Sequence, residues 1–335
     1  MFQDYTKGYY NIGDKEIFKL SLTDRVKSTH LKTVTEEKVR IELPPGIDHY
    51  YTMEMLDQPS CVQKALNYGA RLMANKAMVR LGGLEKQAES LQQVDHLIMA
   101  ACGTSHYATI YAEHLMKQLG CFDFIRCIKA SEIGEDDLRF KNPKSAAFLS
   151  VSQSGETMDL LIPFRLAEKM GLQRINVVNK VNSTLARENN CGVFLNCGRE
   201  LSVASTKAYI SQVVVLTLVA LWFSQNKSYN QTKRRRARFI GELRNLSTNM
   251  EQTLQGCIEF SQRTAEKLKT AKGIMFLGEG LAEAVAQEGC LKMKELTYLH
   301  CQCFAVSNVA NNLYAYAKVN PGMPAIFVIL DSNLD

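Results

Sequence analysis

The chain has 335 residues, 46% apolar and 22% charged, which fits a globular protein of about two compact domains. Its 40 Lys and Arg against 34 Asp and Glu leave a net charge of +6, too small to argue for a nucleic-acid partner. Ten cysteines without a CxxC pair, beside six histidines, give no zinc signature, so reduced thiols in a cytoplasmic protein are expected, with no metal and no cofactor. The N-terminus MFQDYTKGYY lacks the apolar core of a signal peptide, and no apolar run reaches the ~18 residues of a membrane span.

Residues 1–45 are polar, with one strand expected at Ile17–Leu22, and close on the loop signal LPPGID (43–48). Short apolar runs then alternate with helical stretches: His96–Ala101, Phe124–Ile128, Ala146–Val151, Ile175–Val178 and Val193–Leu195. Such runs, separated by helices, predict a doubly wound parallel sheet covered on both faces, a three-layer αβα domain over 46–235. Pro163 falls inside the helix after SQSGET and is expected to kink it. A long helical region follows over about 203–270, with Val213–Phe223 buried and KRRRAR (233–238) forming a solvated helix face. Gly273–Leu277 and Ala325–Leu330 read as strands of a second α/β domain over 236–335, shorter than a complete one.

Three turns in the first domain concentrate hydroxyl groups: CGTS (102–105), SQSGET (152–157) and SVASTK (202–207). Each follows an expected strand or opens an expected helix, where unpaired N–H groups and the helix dipole favour an anion. A single such turn more often means helix capping by Ser or Thr. Three together point to a phosphate cradle. No GxxxxGK[ST] is present, and LGEGLAEA (277–284) offers only G-x-G, so a nucleotide is a poor fit. A phosphorylated small molecule with several hydroxyls fits better, with Gln153 and the serines as its partners.

ACGTS (101–105), SQSGET (152–157), VASTKAY (203–209) and EGCLKMKELTYLH (288–300), supported by MEMLDQP (53–59) and LGGL (81–84), resemble the isomerising half of the glutamine–fructose-6-phosphate aminotransferase family. The resemblance implies two sugar-isomerase (SIS) domains, here one complete and one truncated, after a linker or glutaminase remnant at 1–45. It also implies a hexose 6-phosphate ligand and a place in amino-sugar and UDP-N-acetylglucosamine biosynthesis. By the same resemblance Thr104, Ser105, Ser152, Gln153, Ser154 and Thr157 hold the sugar phosphate, and Val203 (by its backbone) and Ser205 contact the sugar. Glu295 then moves a proton between C1 and C2, with Lys292 beside it. Glu288, Lys292 and Glu295 share one helical face at i, i+4 and i+7, a pattern that without the resemblance reads as a surface ion-pair ladder. A homodimer, or a heterodimer with a full-length synthase, is the implied assembly.

The chain also departs from the family. Residue 2 is Phe, so no N-terminal cysteine nucleophile is expected and glutamine hydrolysis is not. The family's GELKHGP aligns with residues 307–313, which places Asn311 where the family has a ring-opening histidine; an amide cannot exchange a proton near neutral pH. The family's C-terminal lysine has no counterpart after Lys318. Two functions follow: a synthase module doing the isomerase half of the chemistry, or a catalytically degenerate sugar-phosphate binder that pairs with a full-length synthase. A DNA-binding sugar sensor would need a helix-turn-helix, which residues 1–45 do not offer.

Overall fold

The computed structural model describes residues 8–10, 31–33, 42–308 and 322–330. The chain divides into two units, residues 1–46 and 47–335. In the first, β1 (Gly8–Tyr10) and β2 (Leu31–Thr33) pair antiparallel. The strand expected at Ile17–Leu22 lies outside the described residues, and so does Asn311.

The second unit opens with α1 (Tyr50–Leu56) and α2 (Gln58–Ala65), a hairpin of β3 (Leu72–Met73) and β4 (Met78–Val79), and the short helices α3 (Gly82–Glu85) and α4 (Ala88–Gln92). The apolar runs then become β5 (His96–Ala101), β6 (Phe124–Lys129), β7 (Ala146–Ser152), β8 (Gln173–Val178) and β9 (Gly192–Phe194), all parallel, in the order β6-β5-β7-β8-β9. Between them lie α5 (Gly103–Leu119), α6 (Met158–Lys169) and α7 (Thr184–Glu188).

Strand alternation between two cores explains why the central run, β5, is apolar after His96. In β5, Leu97, Met99 and Ala101 face one core and Ile98 and Ala100 the other. The first core is closed by α2, α5, α8 (Lys207–Lys227) and α9 (Tyr229–Leu268), the second by α6 and α7. Helix α8 is long and apolar enough to cross a membrane, yet it lies buried inside the fold, with Trp222 and Phe223 fully enclosed.

Pro163 does not break α6. It removes one bond, to the Asp159 carbonyl, and its ring is buried. KRRRAR needs a correction. Lys233, Arg234, Arg235 and Arg238 are exposed, but Arg236 is fully buried: Nε donates to Ala77 O (3.0 Å), Nη2 to Tyr229 O (2.8 Å), and Nη1 to the Thr232 hydroxyl. A guanidinium supplies enough donors to cross-link a loop to two turns of helix, so one arginine of the run is a structural clamp. The limit drawn at 235/236 falls within the single helix α9.

The remaining residues build β10 (Gly273–Gly278), α10 (Leu281–Thr297), β11 (His300–Ala305) and β12 (Ala325–Phe327), a parallel sheet of order β11-β10-β12 with α10 packed across β10 and β11. β11 was not anticipated: HCQCFA alternates cysteine with polar residues and carries little strand signal. The strand expected over Ala325–Leu330 ends at Phe327.

Candidate functional site

The chain leaves β5 for β6 on one side of the sheet and returns to β7 on the other, so the direction of winding reverses between β5 and β7. In open parallel sheets the crevice beyond the carboxyl ends at such a reversal is where ligands bind. CGTS follows β5 and SQSGET follows β7, which puts both turns at that crevice.

After β7 the turn is closed by its own side chains. Ser152 Oγ accepts the Gly155 N–H (2.9 Å) and shares a hydrogen bond with Thr157 Oγ1 (3.2 Å), and Ser154 Oγ accepts the Glu156 N–H (3.2 Å). Gly155 has φ +65°, and a Cβ there would sit 2.1 Å from Ser183 Oγ, so only glycine fits. Glu156 accepts the Thr184 N–H (2.8 Å) at the start of α7. Gln153, Ser154 and Thr157 stay partly exposed, whereas Ser152 is buried. Ser150, two residues earlier in β7, donates to Asn176 Oδ1 (3.0 Å) inside the core.

After β5 the turn instead reaches out. Gly103, at φ +53°, starts α5, and the next two residues contact other elements. Ser105 Oγ accepts from Gln212 Nε2 of α8 (2.8 Å). Thr104 Oγ1 donates to Glu288 Oε1 (3.2 Å) and accepts from Lys292 Nζ (2.9 Å), both on α10. Lys292 Nζ also reaches Glu295 Oε2 (2.6 Å) and lies 3.5 Å from Glu288 Oε1.

This is no surface ladder. The side chains of Lys292 and Glu288 are only 13% and 8% exposed, and Glu295, at 36%, is the open end. Burial pushes the Glu288 carboxyl up to about 7, although Lys292 and the Thr104 hydroxyl pull the other way. Its Oε2 is buried with no hydrogen-bond partner among the described residues. Tyr51 of α1 and Tyr209 of α8 border the same carboxylates: burial raises both phenols, and Glu288 raises them further.

The structure thus joins Thr104, Lys292 and Glu295 directly, and gathers Ser152, Ser154 and Thr157 into one turn. Val203 and Ser205 sit on a separate loop before α8, the first fully exposed and the second half-buried. Gln212 and Tyr51 were not singled out in the sequence; a glutamine just before the apolar run Val213–Phe223 of α8 was the available signal. A cavity of ≈ 280 Å³ lies elsewhere, beside β8 and β9, and none of these candidate residues lines it. Among the described residues no three His, Cys, Asp or Glu side chains converge as metal ligands.

Residues 90–222 match the SIS domain family. Similarity runs well past that stretch. The glutamine–fructose-6-phosphate aminotransferase of Chlorobaculum tepidum is 30% identical over 309 residues, 90% of this chain and 48% of that protein. That of Encephalitozoon cuniculi is 31% identical over 300 residues, 89% of this chain and 41% of that protein. The chain spans about half the length of these relatives. Among solved structures, the C-terminal domain of glucosamine-fructose-6-phosphate aminotransferase from Francisella tularensis superposes with a TM-score of 0.75 at 28% identity, covering 87% of this chain and 78% of that one. Glucosamine-6-phosphate deaminase from Thermotoga maritima, at 14% identity and a TM-score of 0.59 over 85% of this chain and 86% of that one, shares the fold. The matched stretch 90–222 holds both hydroxyl turns and, through Thr104, touches Glu288 and Lys292 of α10 beyond its own limits.

Proposed function

We propose that this chain binds a hexose 6-phosphate, fructose 6-phosphate or glucosamine 6-phosphate, and performs the isomerase half of amino-sugar phosphate synthesis in the cytoplasm. On this reading residues 46–235 and 236–335 are two sugar-isomerase units. Ser105, Ser152, Gln153, Ser154 and Thr157 hold the phosphate, Thr104 adds the backbone N–H of its helix turn, and Val203 and Ser205 contact the sugar. Glu295, at the open end of the ladder, takes a proton from C1 and returns it to C2. Lys292 holds that carboxylate in place and balances its charge. The observation that carries the reading is the Lys292 ammonium, which bonds Thr104 and Glu295 at once and so fixes the proton-moving carboxylate against the phosphate-side turn.

A second reading is favoured by one feature, Asn311 in place of the family's histidine. The chain then binds the same ligand without turnover and pairs with a second copy or with a full-length synthase. Calorimetric titration of both sugar phosphates tests the shared part. Ser152→Ala and Thr157→Ala are each expected to weaken binding roughly tenfold, the size of one hydrogen bond to a charged group. Unchanged affinity in both variants would contradict the cradle.

A further inference from the structure

Charged side chains that this chemistry does not use converge behind the loop carrying Val203 and Ser205. Glu54, in α1, is fully buried. Its Oε1 accepts the Leu201 N–H at 2.5 Å and its Oε2 the Ser202 N–H at 3.1 Å. Lys207 Nζ, in the first turn of α8, lies 3.8 Å from Glu54 Oε1 and 3.4 Å from Asp57 Oδ2, with only 8% of its side chain exposed. At the other end of the loop, Glu200 Oε1 accepts the N–H groups of Thr206 (2.9 Å) and Ala208 (3.2 Å). Glu200 thereby caps α8, which Thr206 at the N-cap position does not do with its own hydroxyl.

Stability alone does not call for this arrangement. Taking a carboxylate out of water costs several kcal/mol, and an apolar replacement of a buried pair is often as stable. What a carboxylate does, and an apolar group cannot, is accept two successive N–H groups and so fix two peptide planes. Leu201 and Ser202 immediately precede Val203, so those planes set where the Val203 backbone points. Val203 itself is fully exposed, and side-chain packing therefore does not place it.

We propose that Glu54 is a positioning residue for sugar recognition: with Lys207 and Glu200 it holds residues 201–205 so that the Val203 backbone and Ser205 meet the sugar. The inference rests on the hexose-phosphate reading above. It separates two parts of one ligand, because the 201–205 loop serves the sugar and the 152–157 turn the phosphate. The test is the affinity of the wild type, Glu54→Gln and Glu200→Gln for glucosamine 6-phosphate and, separately, for inorganic phosphate. Glu54→Gln is expected to weaken glucosamine 6-phosphate roughly tenfold and to leave inorganic phosphate within about twofold. Glu200→Gln, at a half-buried site, is expected to show the same split with a smaller loss, and it carries the test alone if Glu54→Gln does not fold. Equal losses for both ligands, or no loss for either, would overturn the inference. A wild type that binds glucosamine 6-phosphate no better than inorganic phosphate would instead overturn the hexose-phosphate reading.

Discussion

The turns after β5 and β10 follow one local plan, a parallel strand running through glycine into a 17-residue helix, yet they suit opposite charges. After β5, α5 has no acidic residue in its first turn, and Thr104 and Ser105 offer hydroxyls there. After β10, Glu279 lies in the turn and Glu283 in the first turn of α10, and Glu279 binds the backbone N–H (3.0 Å) and hydroxyl (3.3 Å) of Ser307. The positive end of α10 is thus already answered by the chain's own carboxylates, and what α10 offers the crevice is a later stretch, Glu288 to Glu295. Repetition of a fold pattern does not repeat a site: one helix opens with hydroxyls and the other with carboxylates.

That division can be broken from either side. On the α10 side, Glu295→Gln is expected to lower turnover of fructose 6-phosphate in an ammonia-fed assay by ~10²–10⁴ while the melting temperature barely moves, because the side chain is the exposed end of the ladder. Unchanged turnover would move the chemistry off this helix, and no turnover in the wild type would favour the binding-only reading. In the neighbouring turn after β7 the loss should fall on stability. Gly155→Ala adds a methyl group where φ is +65° and Ser183 leaves no room, so denaturant unfolding is expected to show a loss of roughly 2–4 kcal/mol. An unchanged midpoint would mean the turn is slack.

A smaller effect sharpens the contrast between the two carboxylates. Glu288 is pushed from its ordinary 4.5 to about 7, so the folded state holds a proton that the unfolded chain gives up. The stability from this group is complete below about 4.5 and is lost as pH rises through about 7. Glu288→Gln is expected to flatten that slope by on the order of 1–3 kcal/mol, measured as unfolding free energy against pH. An equally steep slope in the variant would assign it to another group.

Most of the first sheet was legible in the sequence because strands buried on both faces are mostly apolar: β5 is buried after His96, β7 along its whole length and β8 from Ile175, whereas β6, at the sheet edge, exposes Phe124, Arg126 and Lys129. The two turns were legible because serine, threonine and glycine cluster for local reasons, a strand ending and a helix starting. The spacing of Glu288, Lys292 and Glu295 showed that they share a face, but not that Thr104 would bury it, since that contact spans 184 residues. Glu54 was hidden in the same way: its partners lie 147 and 148 residues ahead, and an acidic residue in a short helix looks solvated. Arg236 was misread because three neighbours in its run are exposed arginines, and only the fold distinguishes the one that turns inward.

The most direct measurement is thermal unfolding of the chain with and without glucosamine 6-phosphate and fructose 6-phosphate. A ligand that binds only the folded state adds about 2.7 kcal/mol at a hundredfold excess over Kd, so a clear upward shift with either sugar phosphate is predicted. A single sharp transition that neither ligand moves would contradict the sugar-phosphate site.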